Sequence, residues 1–167
     1  MINRRATIKR AFTLKYEMDY YSDSDSKIDL LLLGLANIKD DDGETALISA
    51  SSIGYEEVVS MLIEAGVDLN IKDKDGWAAL TLASRYGYKE IVSMFIKAGA
   101  DLNIQDNDGW TALIYAVNNG HKEIVSMLIQ AGADLNIQDN DDETALTLAS
   151  RYRYKEIVSI LKQAGAK

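Results

Sequence analysis

The fold is decided by residues 106–138, DNDGWTALIYAVNNGHKEIVSMLIQAGADLNIQ, which follow directly on 73–105, DKDGWAALTLASRYGYKEIVSMFIKAGADLNIQ. The two stretches carry the same residue at 23 of their 33 positions. A spacing of 33 residues also separates two sets of positions along the rest of the chain, namely Gly43, Gly76, Gly109 and Asp142, and Gly66, Gly99, Gly132 and Gly165. A fixed period of roughly 20–50 residues is typical of stacked repeat architectures, so the sequence predicts an array of short units.

Each unit has the pattern of a turn followed by two short helices. In the unit 73–105, the turn is Asp73-Lys74-Asp75-Gly76, where glycine readily takes the positive φ that such turns need. Small apolar residues then predict a first helix that ends at Gly87 in a left-handed cap. A stripe of larger apolar residues predicts a second helix that ends at Gly99. The alternating run 101–104 is predicted to be extended and to lead into the next turn.

These residues carry a resemblance to a known family. The pattern D-x-D-G-W-T-A-L-x-x-A, followed by G-x-x-E-I-V-x-x-L-I-x-A-G-A-D-L-N, lies at Asp106–Asn136 and resembles the ankyrin repeat. The resemblance implies an all-α ankyrin-repeat solenoid of stacked helix–turn–helix units, joined by short extended β-turn or hairpin connections. The sequence departs from the family's Thr-Pro-Leu-His start, because it reads Thr111-Ala112-Leu113-Ile114 here and the whole chain lacks proline.

The repeat divides the chain into two predicted regions. Residues 1–26 are an N-terminal basic segment and polar loop and a candidate part of a cap, and residues 27–167 are the repeat domain. We predict that the domain consists of a partial cap and four units, with the boundaries 27–39, 40–72, 73–105, 106–138 and 139–167.

The last unit departs from the others in ways that suit exposure to water. Lys162 stands where the preceding unit has Ile129, and Asp142 and Arg153 replace glycines. Because a terminal repeat has a neighbour on one side only, we interpret 139–167 as a C-terminal cap.

The N-terminal region allows two interpretations. Apolar and polar residues alternate in the later part of 4–20, which is typical of a strand, whereas Ile8, Phe12 and Tyr16 also share one face of a helix. We slightly favour the helix, because a capping repeat needs a first helix at this place. We expect this segment to fold back over the four leucines at 30–33.

The amino-acid composition argues against several classes of function. The net charge is −8, which is unfavourable for binding a phosphate backbone, so we expect no nucleic-acid partner. The absence of cysteine excludes disulfides and cysteine chemistry. No run of apolar residues approaches the length of about 20 that a membrane helix needs, so we expect no membrane partner. We expect a cytoplasmic location, with delivery to another compartment or to a host cell as the alternative.

The sequence offers no pattern that predicts catalysis. The single histidine, His121, occupies the place held by tyrosine in the other units, so we expect it to pack or hydrogen-bond between helices. The aspartates of the turns are expected to accept hydrogen bonds from turn backbone, because Ile71 and Leu82 stand where a calcium loop needs its first and last ligands. We predict that the protein is not an enzyme and has no metal site and no cofactor.

A comparison of the two central units suggests where a partner binds. We interpret places that vary between near-identical units as places not fixed by packing, and most of them lie on the turn or the first helix. These changes cluster at Lys74/Asn107, Ala78/Thr111, Thr81/Ile114, Leu82/Tyr115, Ser84/Val117, Arg85/Asn118 and Tyr86/Asn119.

Aromatic and arginine side chains gather on the same part of the unit. Such residues dominate the energetics of protein interfaces. The predicted partner-binding residues are Lys74, Trp77, Arg85, Tyr86, Asn107, Trp110, Tyr115, Asn118, Asn119, Arg151 and Tyr152. As an alternative, Trp77 and Trp110 pack against each other across adjacent turns, and the two Arg-Tyr pairs reflect duplication alone.

The resemblance implies a protein–protein interaction module that binds on the concave face formed by turn tips and first helices. The acidic turns favour a protein partner with a basic patch, and we expect the chain to be a monomer. The alternative is a structural or self-associating repeat subunit without a dedicated partner, in which the alternating N-terminal stretch pairs between copies.

Overall fold

The computed structural model describes residues 37–167, and the predictions made for residues 1–36 lie outside this part. Within it the chain forms helices and no strand, which confirms the all-α class. The helices are α1 (Ala46–Ile53), α2 (Glu56–Glu64), α3 (Ala79–Tyr86), α4 (Lys89–Lys97), α5 (Ala112–Asn118), α6 (Lys122–Gln130), α7 (Ala145–Arg151) and α8 (Lys155–Gln163).

The eight helices stack in two layers. The first helices of the units, α1, α3, α5 and α7, contact one another in chain order, and the second helices, α2, α4, α6 and α8, do the same. Each first helix also packs against the second helix of its own unit. The core is therefore a continuous slab between the two layers.

Side-chain size explains how the layers pack. Small residues such as Ala83 and Ala116 are fully buried on the first helices and let neighbouring helices approach closely. Larger residues of the second helices, such as Phe95 and Leu128, are also fully buried and fill the space behind. Burial of one such side chain contributes about 1.5–3 kcal/mol to the free energy of unfolding.

The predicted helix ends are confirmed. Gly87 caps α3 in the left-handed region at φ 82°. At the end of α4, the N–H of Gly99 donates to the carbonyl of Ile96 (3.2 Å), and the N–H of Ala100 donates to that of Phe95 (3.0 Å). These two bonds form a Schellman motif, which satisfies carbonyls that the helix itself leaves free.

Side chains near the turns join each unit to the next. The side-chain oxygen of Asn70 accepts the N–H of Asp101 (3.0 Å), and that of Asn103 accepts the N–H of Asp134 (2.9 Å). The Lys72 ammonium donates to the carbonyl of Gln105 (2.8 Å), one full unit further along. These bonds fix the register between units without any β-ladder.

The last unit keeps the backbone shape of the others without two of their glycines. Asp142 and Arg153 are the non-glycine residues with positive φ in the part of the chain that the structure describes, at 59° and 60°. In an inner unit, a Cβ on Gly87 would lie 2.7 Å from the His121 ring of the next unit. The glycines of the inner units therefore allow the next unit to approach closely, in addition to adopting a positive φ. Lys162 is exposed, whereas Ile129 at the same place is half-buried.

Candidate interaction surface

A buried carboxylate connects the turn of the third unit to its first helix. Asp106 Oδ1 accepts the backbone N–H of Asp108 (3.0 Å) and of Trp110 (2.8 Å). Asp106 Oδ2 accepts the hydroxyl of Tyr115 on α5 (2.6 Å). Burial, reinforced by this hydrogen bond, raises the pKa of Tyr115 above its usual value, so the phenol keeps the proton that it donates.

The ring of Tyr115 supports two tryptophans from adjacent units. Its centroid lies 4.9 Å from the ring of Trp110 and 6.0 Å from that of Trp77, and it meets Trp77 edge to face at 70°. Such aromatic pairs contribute about 0.5–1.5 kcal/mol beyond the area that they bury. Both indoles pack on Tyr115 and both remain half-buried, so part of each faces solvent.

Arg85 on α3 completes the cluster. Its guanidinium carbon lies 4.5 Å from the centroid of the Trp77 ring, 5.5 Å from that of Tyr115 and 5.7 Å from that of Tyr86. Tyr86 is 47% exposed, which is high for an aromatic side chain. Five of the predicted site residues therefore come together, and we call Trp77, Arg85, Tyr86, Trp110 and Tyr115 the aromatic–arginine cluster.

Tyr115 has a different place from the one expected of a contact residue. Its side chain is only 7% exposed, because the turn, the two indoles and Arg85 surround it. We therefore assign it to support of the surface from beneath.

The other predicted residues lie beside the cluster or apart from it. Lys74 and Asn107 are exposed on adjacent turns, where the Asn107 amide donates to the carbonyl of Lys74 (3.0 Å). Asn119 uses its amide to cap α5 through the carbonyl of Tyr115 (2.9 Å), and Asn118 is half-buried.

A second group forms in the last unit. Arg151 pairs with Glu143 at 2.7 Å, and its guanidinium carbon lies 5.3 Å from the ring of Tyr152. Tyr152 is 43% exposed. None of these contacts joins Arg151 or Tyr152 to the aromatic–arginine cluster.

The interpretation that varying places are free of packing is wrong for four of the seven pairs. Both members of each of these pairs are buried, because every inner first helix is enclosed by a first helix on either side. The differences at these places are changes in how the core is filled. The buried pairs are Ala78/Thr111, Thr81/Ile114, Leu82/Tyr115 and Ser84/Val117.

His121 has the structural role that its repeat position predicts. Its Nε2 lies 3.1 Å from the carbonyl oxygen of Arg85, and because a carbonyl only accepts, Nε2 carries the proton. The ring also lies against Gly87. His121 thus holds the end of α3, which carries Arg85 and Tyr86. The sequence predicts that the histidine contacts a neighbouring helix but does not reveal which group it contacts.

The turn aspartates divide into two kinds. The first aspartate of each turn accepts backbone N–H groups, as at Asp73, whose Oδ1 accepts from Asp75 (2.9 Å) and Trp77 (2.8 Å). This confirms the predicted turn role. The third residue of each turn is an exposed aspartate, and these form a row: Asp42, Asp75, Asp108 and Asp141. In residues 37–167, no three acidic, histidine or cysteine side chains come together as metal ligands would.

Comparison with known protein families agrees with this architecture. The family model for ankyrin repeats, in three copies, matches residues 20–106 and 94–167. The chain belongs to the ankyrin-repeat family. A search of curated proteins finds no match to the chain. Within the described residues of this ankyrin-repeat protein, none of the helices has the length and apolar character to cross a membrane.

Proposed function

We propose that this ankyrin-repeat protein binds a partner protein through the turns and first helices of its central units, on the concave side of the array. The aromatic–arginine cluster carries the proposal. It offers the exposed ring of Tyr86 and the half-buried faces of Trp77 and Trp110, with Arg85 beside them. Clusters of these residue types supply most of the binding energy at protein interfaces.

Rigidity of the cluster supports the same function. Tyr115 is held by Asp106 and in turn holds both indoles, so the rings keep their positions before a partner arrives. A surface that is ordered in advance loses less conformational freedom on binding, which favours affinity. Ankyrin repeats generally mediate protein–protein interactions, and this chain keeps their architecture.

The row of exposed turn aspartates indicates the charge of the partner. Asp42, Asp75, Asp108 and Asp141 are exposed on successive turns, which backbone hydrogen bonds join along one edge of the array, and Asp75 and Asp108 lie on the turns that carry Trp77 and Trp110. Charge complementarity across an interface mainly raises the association rate and selects the partner. We therefore propose a partner with a basic patch that faces this edge.

Affinity capture with matched variants tests the proposal. Tyr86→Ala and Trp77→Ala remove exposed parts of the cluster, and Lys97→Ala with Gln130→Ala changes exposed residues at the ends of second helices. We expect capture of a partner to fall with the cluster variants and to remain with the control. Circular dichroism must first show native helicity for each. Equal capture by the native protein and Tyr86→Ala would contradict the proposed surface.

The self-associating alternative rests on the alternating N-terminal stretch, which lies outside the described residues, and it stays a prediction, as does the monomeric state. Light scattering over a range of protein concentrations distinguishes the two. A mass that rises with concentration would favour the alternative.

A further inference from the structure

Two arginines of this chain hold the same place in identical sequence but have different partners. Residues 79–86 and 145–152 both read ALTLASRY, with Arg85 and Arg151 at the seventh position. In the last unit, Arg151 pairs with Glu143 at 2.7 Å. The residue at the place of Glu143 in the second unit is Trp77, so the repeat itself gives Arg85 no carboxylate.

The guanidinium of Arg85 is positioned by rings and has no acceptor within the part of the chain that the structure describes. It stacks on Trp77 and lies near the rings of Tyr115 and Tyr86. Among residues 37–167, no carboxylate or carbonyl takes a hydrogen bond from it. A guanidinium that stacks on a ring face keeps its in-plane N–H donors available at its edge, in the fork geometry that matches a carboxylate.

We propose that Arg85 binds the carboxylate of an aspartate or glutamate side chain in the partner protein. This proposal rests on the proposed function and names the chemistry of one contact within it. The partner's acid pairs with the free edge of the Arg85 guanidinium, as Glu143 pairs with Arg151, with its chain against Trp77 and Tyr86. Partial burial of Arg85 reduces screening by water and strengthens the pair relative to a fully exposed one.

The surrounding charge sets the kind of segment that fits. Asp75 and Asp108 lie on the turns beside the cluster and are exposed, so they repel a run of acidic residues or a doubly charged phosphate. A single carboxylate flanked by neutral or basic residues satisfies Arg85 and the aspartate row together. The inferred recognition element is therefore one acidic residue within a basic or neutral segment.

Selection from a library of short random peptides displayed on phage tests this inference. The native protein serves as bait, and synthetic peptides from the selection are then measured by fluorescence anisotropy. We expect an enriched aspartate or glutamate, and its change to asparagine or glutamine should weaken binding to the native protein about tenfold. Against Arg85→Gln, the same change in the peptide should have no effect.

Two further variants sharpen the test. Lys97→Gln removes one exposed positive charge at the end of a second helix, away from the cluster, so it should bind the selected peptides as the native protein does. Arg85→Lys keeps the charge but loses the fork of donors, and it should bind with intermediate affinity.

The outcomes separate the two proposals. Peptides that lose affinity with Tyr86→Ala but bind the native protein and Arg85→Gln equally would overturn the carboxylate inference and leave the proposed function intact. A selection that yields no peptide dependent on either Tyr86 or Arg85 would overturn both.

Discussion

The hydroxyl of Tyr115 is the single polar group on which the aromatic–arginine cluster most depends. It donates to the buried carboxylate of Asp106 at 2.6 Å, and Tyr115→Phe would remove this bond while it keeps the ring. Because Asp106 would remain buried with one oxygen less well satisfied, we expect the free energy of unfolding to fall by about 1–3 kcal/mol. Urea denaturation measures the change. The control Tyr86→Phe, at an exposed ring, should stay within about 0.5 kcal/mol.

For a buried serine on α3, we predict that a substitution raises the free energy of unfolding. The Ser84 hydroxyl is fully buried and has no hydrogen-bond partner, and the next unit has Val117 at this place. Ser84→Ala removes an unsatisfied polar group, so we expect a gain of about 1 kcal/mol in the free energy of unfolding. Ser150→Ala is the matched control, because Ser150 is exposed and donates to the carbonyl of Leu146. Equal effects of the two changes in urea denaturation would contradict this account.

At the scale of the helices, the position that ends each first helix leads to opposite predictions for an inner unit and for the last unit. Gly87→Ala places a Cβ against the His121 ring and forces alanine into the left-handed region, so we expect a loss of about 1–3 kcal/mol. Arg153→Gly relieves the same conformation in the last unit and should gain about 1 kcal/mol. Thermal unfolding of both variants provides the measurement. A gain from Gly87→Ala would show that the neighbouring unit does not limit this position.

The helices also show which features of the fold can be predicted from the sequence alone. The period, the glycines and the apolar stripe on α4 predict the helices and their ends, because these depend on local conformation and on one unit's own core. Burial on the first helices depends on the neighbouring units instead. Ser84 is fully buried and Ser150 is exposed within the same eight-residue segment, since α3 has a first helix on both sides and α7 on one.

The candidate surface was predictable in composition but not in arrangement. Its tryptophans and its arginine are evident from the sequence, and five of the predicted residues do come together. The place of Tyr115 beneath the indoles and the contact of His121 with the end of α3 both cross from one unit to the next. The pattern of a single repeat carries no information about which residues meet across such a boundary.

At the scale of the whole molecule, the acidic character predicts how binding responds to salt. The net charge is −8, and the turn edge carries a row of exposed aspartates. For a partner with a basic patch, we expect the association rate to fall as salt rises from low to physiological concentration, while the dissociation rate changes little. Surface plasmon resonance at several salt concentrations measures both rates. Association that is indifferent to salt would contradict the basic partner.

The hydrogen bonds between units have a consequence for how the number of repeats can change in evolution. The bonds made by the side chains of Asn70, Asn103 and Lys72 join residues 31 or 33 positions apart, and the residue type at each end recurs in the next unit or is replaced by one that forms an equivalent bond. Loss of the segment 73–105 from the gene would bring Asp134 opposite Asn70 and Gln138 opposite Lys72, which are the residue types that those side chains already meet. Whole-unit duplications and deletions therefore preserve these hydrogen bonds between units, so descendants of this gene can change the length of the array in single steps without losing them.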